Sequence, residues 1–170
     1  MKKYKLKLAV QRAVKSKKIP SRAKFKKWAR AALASDANIT IRIVGKREGR
    51  KLNRDYRGKN YATNVLTFPL TGSGIFLQKV TKISGKNYAI TGNPELMGDI
   101  VLCHAVVKRE AKQQNKSLKA HYAHLLVHAV LHLQGCDHET DEEAIVMEAL
   151  ETQIVTKLGY ADPYAEMSGN

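Results

Sequence analysis

Residues 128–138 have the sequence His128-Ala129-Val130-Leu131-His132-Leu133-Gln134-Gly135-Cys136-Asp137-His138, which holds three of the six histidines of the 170-residue chain. Positions i and i+4 lie one above the other on a helix, so His128 and His132 can direct two imidazole rings at one point. Gly135 stands where such a helix would end, because glycine tolerates the left-handed turn that reverses the chain. That reversal can bring His138 back as a third nitrogen donor.

Three histidine nitrogens with an open fourth position are typical of a catalytic zinc ion, whereas a structural zinc has all four positions filled. We therefore predict that His128, His132 and His138 bind one Zn²⁺ per chain. His124 shares their helical stripe, but it lies about 12 Å from His132 along the helix, at about 1.5 Å per residue. One ion cannot reach both at metal–nitrogen distances of about 2.1 Å. His124 is therefore expected to pack beside the site or to support a ligand.

Other residues of this stretch have more than one interpretation. Cys136 is close enough in sequence to be a ligand, but the spacing favours His138. Asp137 either orients a ligand histidine or shapes the turn. The spacing H-x-x-x-H-x-x-G-x-x-H also occurs in certain zinc peptidases, where a glutamate after the first histidine is the general base. Ala129 stands at that position here, which disfavours a peptidase.

Both sides of the histidine stretch have the patterns of helices. The apolar residues 118–133 predict one helix that runs into the stretch. Residues 140–158 predict another, because Thr140 and Glu143 have the spacing of a capping box and Gly159 follows as a stop signal.

Four short segments with alternating or continuous apolar residues predict strands at residues 4–10, 39–43, 65–68 and 98–103. Pro20-Ser21 marks the start of a further helix, and residues 47–56 predict a short surface helix. Residues 70–96 form either part of a hairpin, around Ile75, Leu77 and Lys79-Val80, or a long mobile loop. This order predicts one domain over residues 1–170, with a small, mostly central sheet and helices packed on it, in the α/β or α+β class.

Positive charge is concentrated in the N-terminal part of the chain. The net charge is +15, and residues 1–60 hold 21 Lys+Arg and 3 Asp+Glu, whereas residues 121–170 hold 1 and 9. Such asymmetry predicts a basic face for a polyanion, either a nucleic acid or, less favoured, an anionic membrane. Charge alone does not distinguish DNA, RNA and membrane.

Composition excludes several classes of protein. With 44% hydrophobic and 26% charged residues, the chain is not predominantly disordered. Its two cysteines are too few for a disulfide scaffold. No apolar run approaches the roughly 18 residues that span a bilayer, and Lys5 and Lys7 interrupt any apolar core of a signal peptide. We therefore expect a cytoplasmic protein without a membrane partner.

The histidine stretch resembles the signature of the YbeY-type endoribonucleases, which are bacterial rRNA maturation factors. That signature, H-G-x-L-H-L-x-G-Y-D-H, departs from this chain at Ala129 and Cys136. Further stretches of residues similar to the family are 52–69, 98–101 and 158–164. The resemblance covers most of the chain from about Leu52 onward, together with the Pro20-Ser21 helix start.

The resemblance implies a small α+β domain that holds zinc through the three histidines, with the metal site carried by its C-terminal helices. It implies a metal-dependent endoribonuclease, a hydrolase of RNA phosphodiester bonds, that prefers single strands. The implied substrate is ribosomal RNA, notably the 3′ end of the small-subunit RNA. It also implies a part in late ribosome quality control, with the small ribosomal subunit and its proteins as partners.

The functional arginine of the family corresponds to Arg57, whose planar guanidinium matches a phosphate. Lys59 and the basic N-terminal helix, including Arg22 and Lys26, are expected to hold the RNA backbone without reading its bases. Because aromatic residues make up only 6% of the chain, no extended base-stacking platform is expected. Two alternatives remain: a non-catalytic zinc-bearing ribosome assembly factor, and a metallo-hydrolase of another class, such as a peptidase.

Overall fold

A computed structural model describes residues 3–70, 79–83, 85, 87–91 and 95–165. In chain order, its elements are β1 (Leu6–Arg12), α1 (Arg22–Ala31), β2 (Ala37–Val44), α2 (Lys46–Arg57), β3 (Val65–Pro69), β4 (Lys79–Ile83), β5 (Asn87–Thr91), β6 (Leu96–Cys103), α3 (His104–Gln113), α4 (Leu118–Leu133) and α5 (Asp141–Lys157). No helix in these described ranges is long and apolar enough to cross a membrane.

The main sheet has four strands in the order β1-β2-β6-β3. The first three are parallel to their neighbours, whereas β3 runs antiparallel to β6, with Val65 opposite Leu102 and Pro69 opposite Gly98. The sheet is therefore mixed, with β3 at one edge. This arrangement confirms the predicted α+β class with a four-stranded, central sheet.

Helices pack on both faces of the sheet. Strand β6 alternates between two clusters: Ile100 and Leu102 face the larger core with α1 and α4, and Val101 faces a smaller one. Helix α2 packs on the smaller cluster, where a Cβ at Gly49 would lie 3.1 Å from the Cys103 Sγ. That close approach holds the first turn of α2 against the sheet. Cys103 is buried, as expected for a small apolar residue at the end of a strand.

Most of the predicted elements are confirmed, with small shifts at their ends. Helix α4 has the predicted bounds, and α5 begins after Thr140 with the predicted capping box. The first strand begins at Leu6 instead of residue 4, and β6 begins at Leu96, two residues before the predicted start. Strand ends shift because tertiary pairing, not local pattern, decides where a ladder stops.

The segment between β3 and β6 contains a hairpin, which is one of the two structures that the sequence predicts for residues 70–96. Strands β4 and β5 pair antiparallel, with Lys79 opposite Thr91. The hairpin is tied to α5 because the Tyr88 backbone N–H donates to the Gln153 side chain (3.3 Å), whose Nε2 donates back to the Tyr88 carbonyl (3.2 Å). Ile75 and Leu77 lie outside the described residues.

Candidate metal centre

The turn after α4 brings the third histidine back toward the other two. Gly135 has φ +95, in the left-handed region. Its N–H donates to the His132 carbonyl (3.0 Å), and the Cys136 N–H donates to the Leu131 carbonyl (3.1 Å). This pair of bonds is the Schellman motif, which ends a helix and reverses the chain. The chain then returns to place His138 beside the end of α4.

Asp137 shapes this turn. Its Oδ1 accepts a hydrogen bond from the His138 backbone N–H at 2.8 Å, the short-range pattern by which aspartate organises turns. Of the two roles predicted for Asp137, the structure therefore shows the second.

His128, His132 and His138 form the predicted cluster, with one ligand nitrogen from each ring and all three within 4.8 Å of one another. The ring centroids are 4.5 Å apart for His128 and His132 and 4.8 Å apart for His132 and His138. A tetrahedral zinc separates two nitrogen ligands by about 3.4 Å. Small rotations of the rings can bring the nitrogen atoms to that separation, so the three histidines fit a zinc ion.

His132 is available as a neutral donor. Burial, together with the nearby His128 and His138, lowers its pKa to about 4. An imidazole binds a metal through the lone pair of its neutral form. At neutral pH this ring therefore presents a free lone pair without first having to lose a proton.

A buried glutamate of α5 orients the first ligand. The Glu151 side chain is fully buried, and its Oε1 accepts a hydrogen bond from His128 Nδ1. That bond places the hydrogen on Nδ1, which leaves Nε2 with a lone pair for the metal. Burial raises the pKa of Glu151, but the hydrogen bonds from His124, His128 and Tyr164 outweigh it and lower that pKa to about 2. The carboxylate is therefore charged beside the site.

His124 supports this carboxylate, in agreement with its predicted role beside the ligands. Its Nε2 lies 3.5 Å from Glu151 Oε2 and 3.3 Å from the Tyr164 hydroxyl. The Tyr164 hydroxyl also donates to Glu151 Oε2. The C-terminal segment after α5 thus closes the network behind the histidines.

The half-buried thiol of Cys136 is a poor ligand. Burial, and then the charge of Glu151, raise its pKa to about 11, whereas a metal binds the thiolate. The cluster of possible ligands in the described part of the chain consists of the three histidines.

Arg57 lines the same cleft as the histidines. The cleft has a volume of about 620 Å³ and is lined by Tyr56, Arg57, residues 63–68, His128, His132, Asp137, His138 and Glu139. Arg57 is the last residue of α2, which ends at Gly58 with φ +68. The buried Asn53 donates its Nδ2 to the Tyr61 carbonyl at 2.7 Å, which folds the next segment back and directs it into β3. Residues 65–68 of the edge strand β3 thus line the cleft together with Arg57 and the triad.

The other basic residues singled out by sequence lie outside the lining of this cleft. Lys59 is exposed, two residues beyond Arg57. Arg22 and Lys26 lie on α1, which packs against β1 and α4, and β1 is the sheet edge opposite β3. One Arg22 nitrogen, Nη2, donates to the Leu8 carbonyl at 2.8 Å.

Residues 9–159 match the family model described as endoribonuclease YbeY. The chain belongs to this family. A YbeY endoribonuclease of Nitrosomonas eutropha is 52% identical over 157 residues, which cover 92% of this chain and 97% of that protein. One of Nitrosospira multiformis is 53% identical over 162 residues, or 95% of this chain and 82% of that protein.

A solved structure is similar in fold. The solution structure of TM1509 from Thermotoga maritima has a TM-score of 0.50 and 20% identity, and the match covers 93% of this chain and 97% of that one. Family membership confirms the resemblance of the histidine stretch. The two departures from the YbeY signature stay compatible with the site, because Ala129 is fully buried within α4 and Cys136 packs against the core.

Sequence reasoning missed Glu151. Its position carries a signal, because Met147, Glu151 and Val155 recur every four residues on the buried face of α5. A carboxylate within such an apolar stripe requires a partner, and a ligand histidine is the partner here. Tyr164 lies in a stretch that resembled the family, but nothing in the sequence connected it to the site.

Proposed function

We propose that this chain is a metal-dependent endoribonuclease that cleaves single-stranded ribosomal RNA in the cleft between Arg57 and the histidine triad. The observation that carries this proposal is that Arg57, from α2, and the three histidines, from α4 and its following turn, line one cleft. Membership of the endoribonuclease YbeY family supplies the reaction class.

The proposed cofactor is one Zn²⁺ per chain, held by His128, His132 and His138. When bound, zinc acts as a Lewis acid toward a phosphoryl oxygen and lowers the pKa of water toward about 7. Three protein ligands leave room in the coordination sphere for substrate or water. Glu151 keeps His128 in the tautomer and orientation that binding requires.

Arg57 orients the phosphodiester. Among the residues that the structure describes, its guanidinium has no hydrogen bond or ion pair. Its donors are therefore free to bind two phosphate oxygens as a fork, which a lysine cannot reproduce. In the cleft, this contact stabilises the negative charge that develops on the phosphoryl group.

Lys59, Arg22 and Lys26 are proposed to hold the RNA backbone outside the cleft. Phosphate contacts of this kind position a strand and carry no sequence information. Affinity for RNA should accordingly fall as salt rises, because each lysine or arginine contact releases counterions. A flat salt response would argue against the basic surface as an RNA contact.

The biological setting proposed is the cytoplasm. There the enzyme would mature the 3′ end of the small-subunit ribosomal RNA and act in late ribosome quality control, with the small subunit and its proteins as partners. The resemblance to the YbeY family and the excess of positive charge support this setting.

The test is cleavage of a labelled single-stranded oligoribonucleotide, with binding followed in parallel. Zinc-loaded protein should cleave, whereas chelated protein and His132→Ala should bind the RNA and leave it intact. Added zinc should restore cleavage by the chelated wild type and not by the variant. Unchanged cleavage after chelation would exclude metal catalysis. Binding without cleavage by the loaded wild type would favour the ribosome assembly factor.

A further inference from the structure

Tyr56 is an unusually exposed aromatic residue at the mouth of the cleft. It lies in the last turn of α2, directly before Arg57. The residue is 68% exposed, the highest value among the exposed large hydrophobic residues that the structure describes. It lines the same cleft as the histidine triad. An aromatic ring left in water beside a site is a candidate for ligand contact.

Phe68 on β3 holds this ring in place. The two ring centroids lie 5.1 Å apart at 69°, an edge-to-face contact. Phe68 itself packs against the smaller apolar cluster around Leu66 and Val101. The contact limits the freedom of Tyr56 while most of its side chain stays exposed, so a ligand that stacks on it loses less conformational entropy.

The charges around Tyr56 favour a ligand that joins an aromatic group to an anion. On one side, Asp55 lies 3.3 Å from Arg54 and 4.0 Å from Lys51, so nearby cations balance its carboxylate. On the other side is Arg57, without an ionic partner in the described residues. A nucleotide has this combination, with a planar base and a phosphate one sugar away.

We propose that Tyr56 is the stacking platform for the nucleobase next to the phosphate that Arg57 binds, an inference that rests on the proposed RNA cleavage in this cleft. Stacking on one ring accepts every base, so this subsite selects little by sequence. It does select by strandedness, because a base must leave its neighbours in a duplex before it can stack on a side chain. Tyr56 would thus be one physical source of the preference for single strands.

Three variants separate stacking from other effects. Tyr56→Leu removes the ring and keeps an apolar side chain, whereas Tyr56→Phe retains the ring. Tyr61→Leu is the matched control, because Tyr61 is also exposed, at 59%, but does not line the cleft. All three substitutions are at exposed side chains, and denaturant unfolding checks that each variant is folded.

The probe is a short single-stranded RNA with one 2-aminopurine, whose fluorescence is quenched by stacking on an aromatic ring. It is titrated with the metal-free protein, so that neither zinc nor cleavage enters the measurement. We expect quenching by the wild type, Tyr56→Phe and Tyr61→Leu, and its loss with Tyr56→Leu, together with about a tenfold weaker affinity. Quenching and affinity unchanged in Tyr56→Leu would overturn the proposal.

Cleavage of the same RNA by zinc-loaded protein keeps this inference separate from the proposed function. Loss of the single-strand preference in Tyr56→Leu, measured against a matched hairpin, supports the subsite. If the wild type does not cleave but its quenching depends on Tyr56, the proposed function fails and the nucleobase subsite stands. If it cleaves while quenching is independent of Tyr56, the subsite alone is rejected.

Discussion

Glu151 accepts the Nδ1 hydrogen of His128 from a fully buried position on the neighbouring helix. The bond connects α5, which supplies no ligand, to the ligands of α4 and its following turn. It fixes which nitrogen of His128 faces the other two histidines. It also places a negative charge behind this ligand, with the His128 ring between the carboxylate and the metal position.

Glu151→Gln should weaken zinc binding by about 10- to 100-fold, because the amide has no charge to support the imidazole. The measurement is competition for zinc with a chromophoric chelator. Tyr164→Phe is the matched variant: it removes one hydrogen bond to the same carboxylate but leaves the bond to His128, so its effect should be smaller. Because Glu151 is buried, unfolding of both variants in chelator reports any general loss of stability separately. Equal zinc affinity in Glu151→Gln and the wild type would contradict the role assigned to Glu151.

Arg57→Ala should abolish most RNA cleavage without changing zinc affinity, since Arg57 lines the cleft from α2 and is not one of the clustered ligands. Arg57→Lys keeps the charge and loses the planar fork, so it should remain at least about tenfold below the wild type. Arg47→Lys, at an exposed position in the first turn of the same helix, is the control and should cleave normally. Wild-type cleavage by Arg57→Ala would remove Arg57 from the reaction.

The features that were predictable from sequence are those decided by local pattern. The bounds of α4, the reversal at Gly135 and the meeting of His128 with His132 follow from helical spacing and from glycine's backbone freedom. The approach of Arg57 to the triad rested on the family resemblance alone. It depends on β3 pairing with β6 across a long loop, which no local pattern encodes. Glu151 was missed for the same reason, because its partner lies on another helix.

A second hydrogen-bonded carboxylate, that of the half-buried Glu110, should make stability depend on pH. Its Oε2 accepts hydrogen bonds from His121 Nε2 (2.8 Å) and Asn64 Nδ2 (3.1 Å), and Asn64 lines the cleft. Burial raises the pKa of Glu110, but these bonds outweigh it and leave the pKa below its ordinary value. A depressed pKa in the folded state means that the stabilisation is present above the unfolded-state pKa of about 4.3. It is lost as the pH falls through the folded-state pKa.

Glu110→Gln should therefore lower the free energy of unfolding by about 1–2 kcal/mol at pH 7. The difference from the wild type should shrink as the pH falls from the unfolded-state pKa of about 4.3 through the lower folded-state pKa, where the wild-type carboxyl also becomes protonated. Urea unfolding in chelator at several pH values measures it, with the exposed Glu95→Gln as control. A difference that stays constant with pH would mean that the charge of Glu110 contributes nothing.

Gly98 allows α4 to rest directly on β6. A Cβ there would lie 2.7 Å from Leu133 Cδ2 and 3.2 Å from the Phe68 carbonyl oxygen. Leu133 is the last residue of α4, directly before the turn that carries His138. Gly98→Ala should therefore destabilise the protein by about 1–3 kcal/mol, as overpacked core positions do, and should weaken zinc binding by displacing the turn.

The double variant Gly98→Ala/Leu133→Ala tests whether contact with Leu133 causes the destabilisation by Gly98→Ala. Leu133→Ala alone leaves a cavity and should cost about 2–5 kcal/mol. In the double variant, the added methyl occupies part of the space that Leu133 vacates. The double variant should therefore lose less free energy of unfolding than the sum of the losses in the two single variants. Urea unfolding in chelator gives the three free energies. Additive costs would show that the methyl at residue 98 is accommodated without moving Leu133, and zinc affinity of Gly98→Ala should then equal that of the wild type.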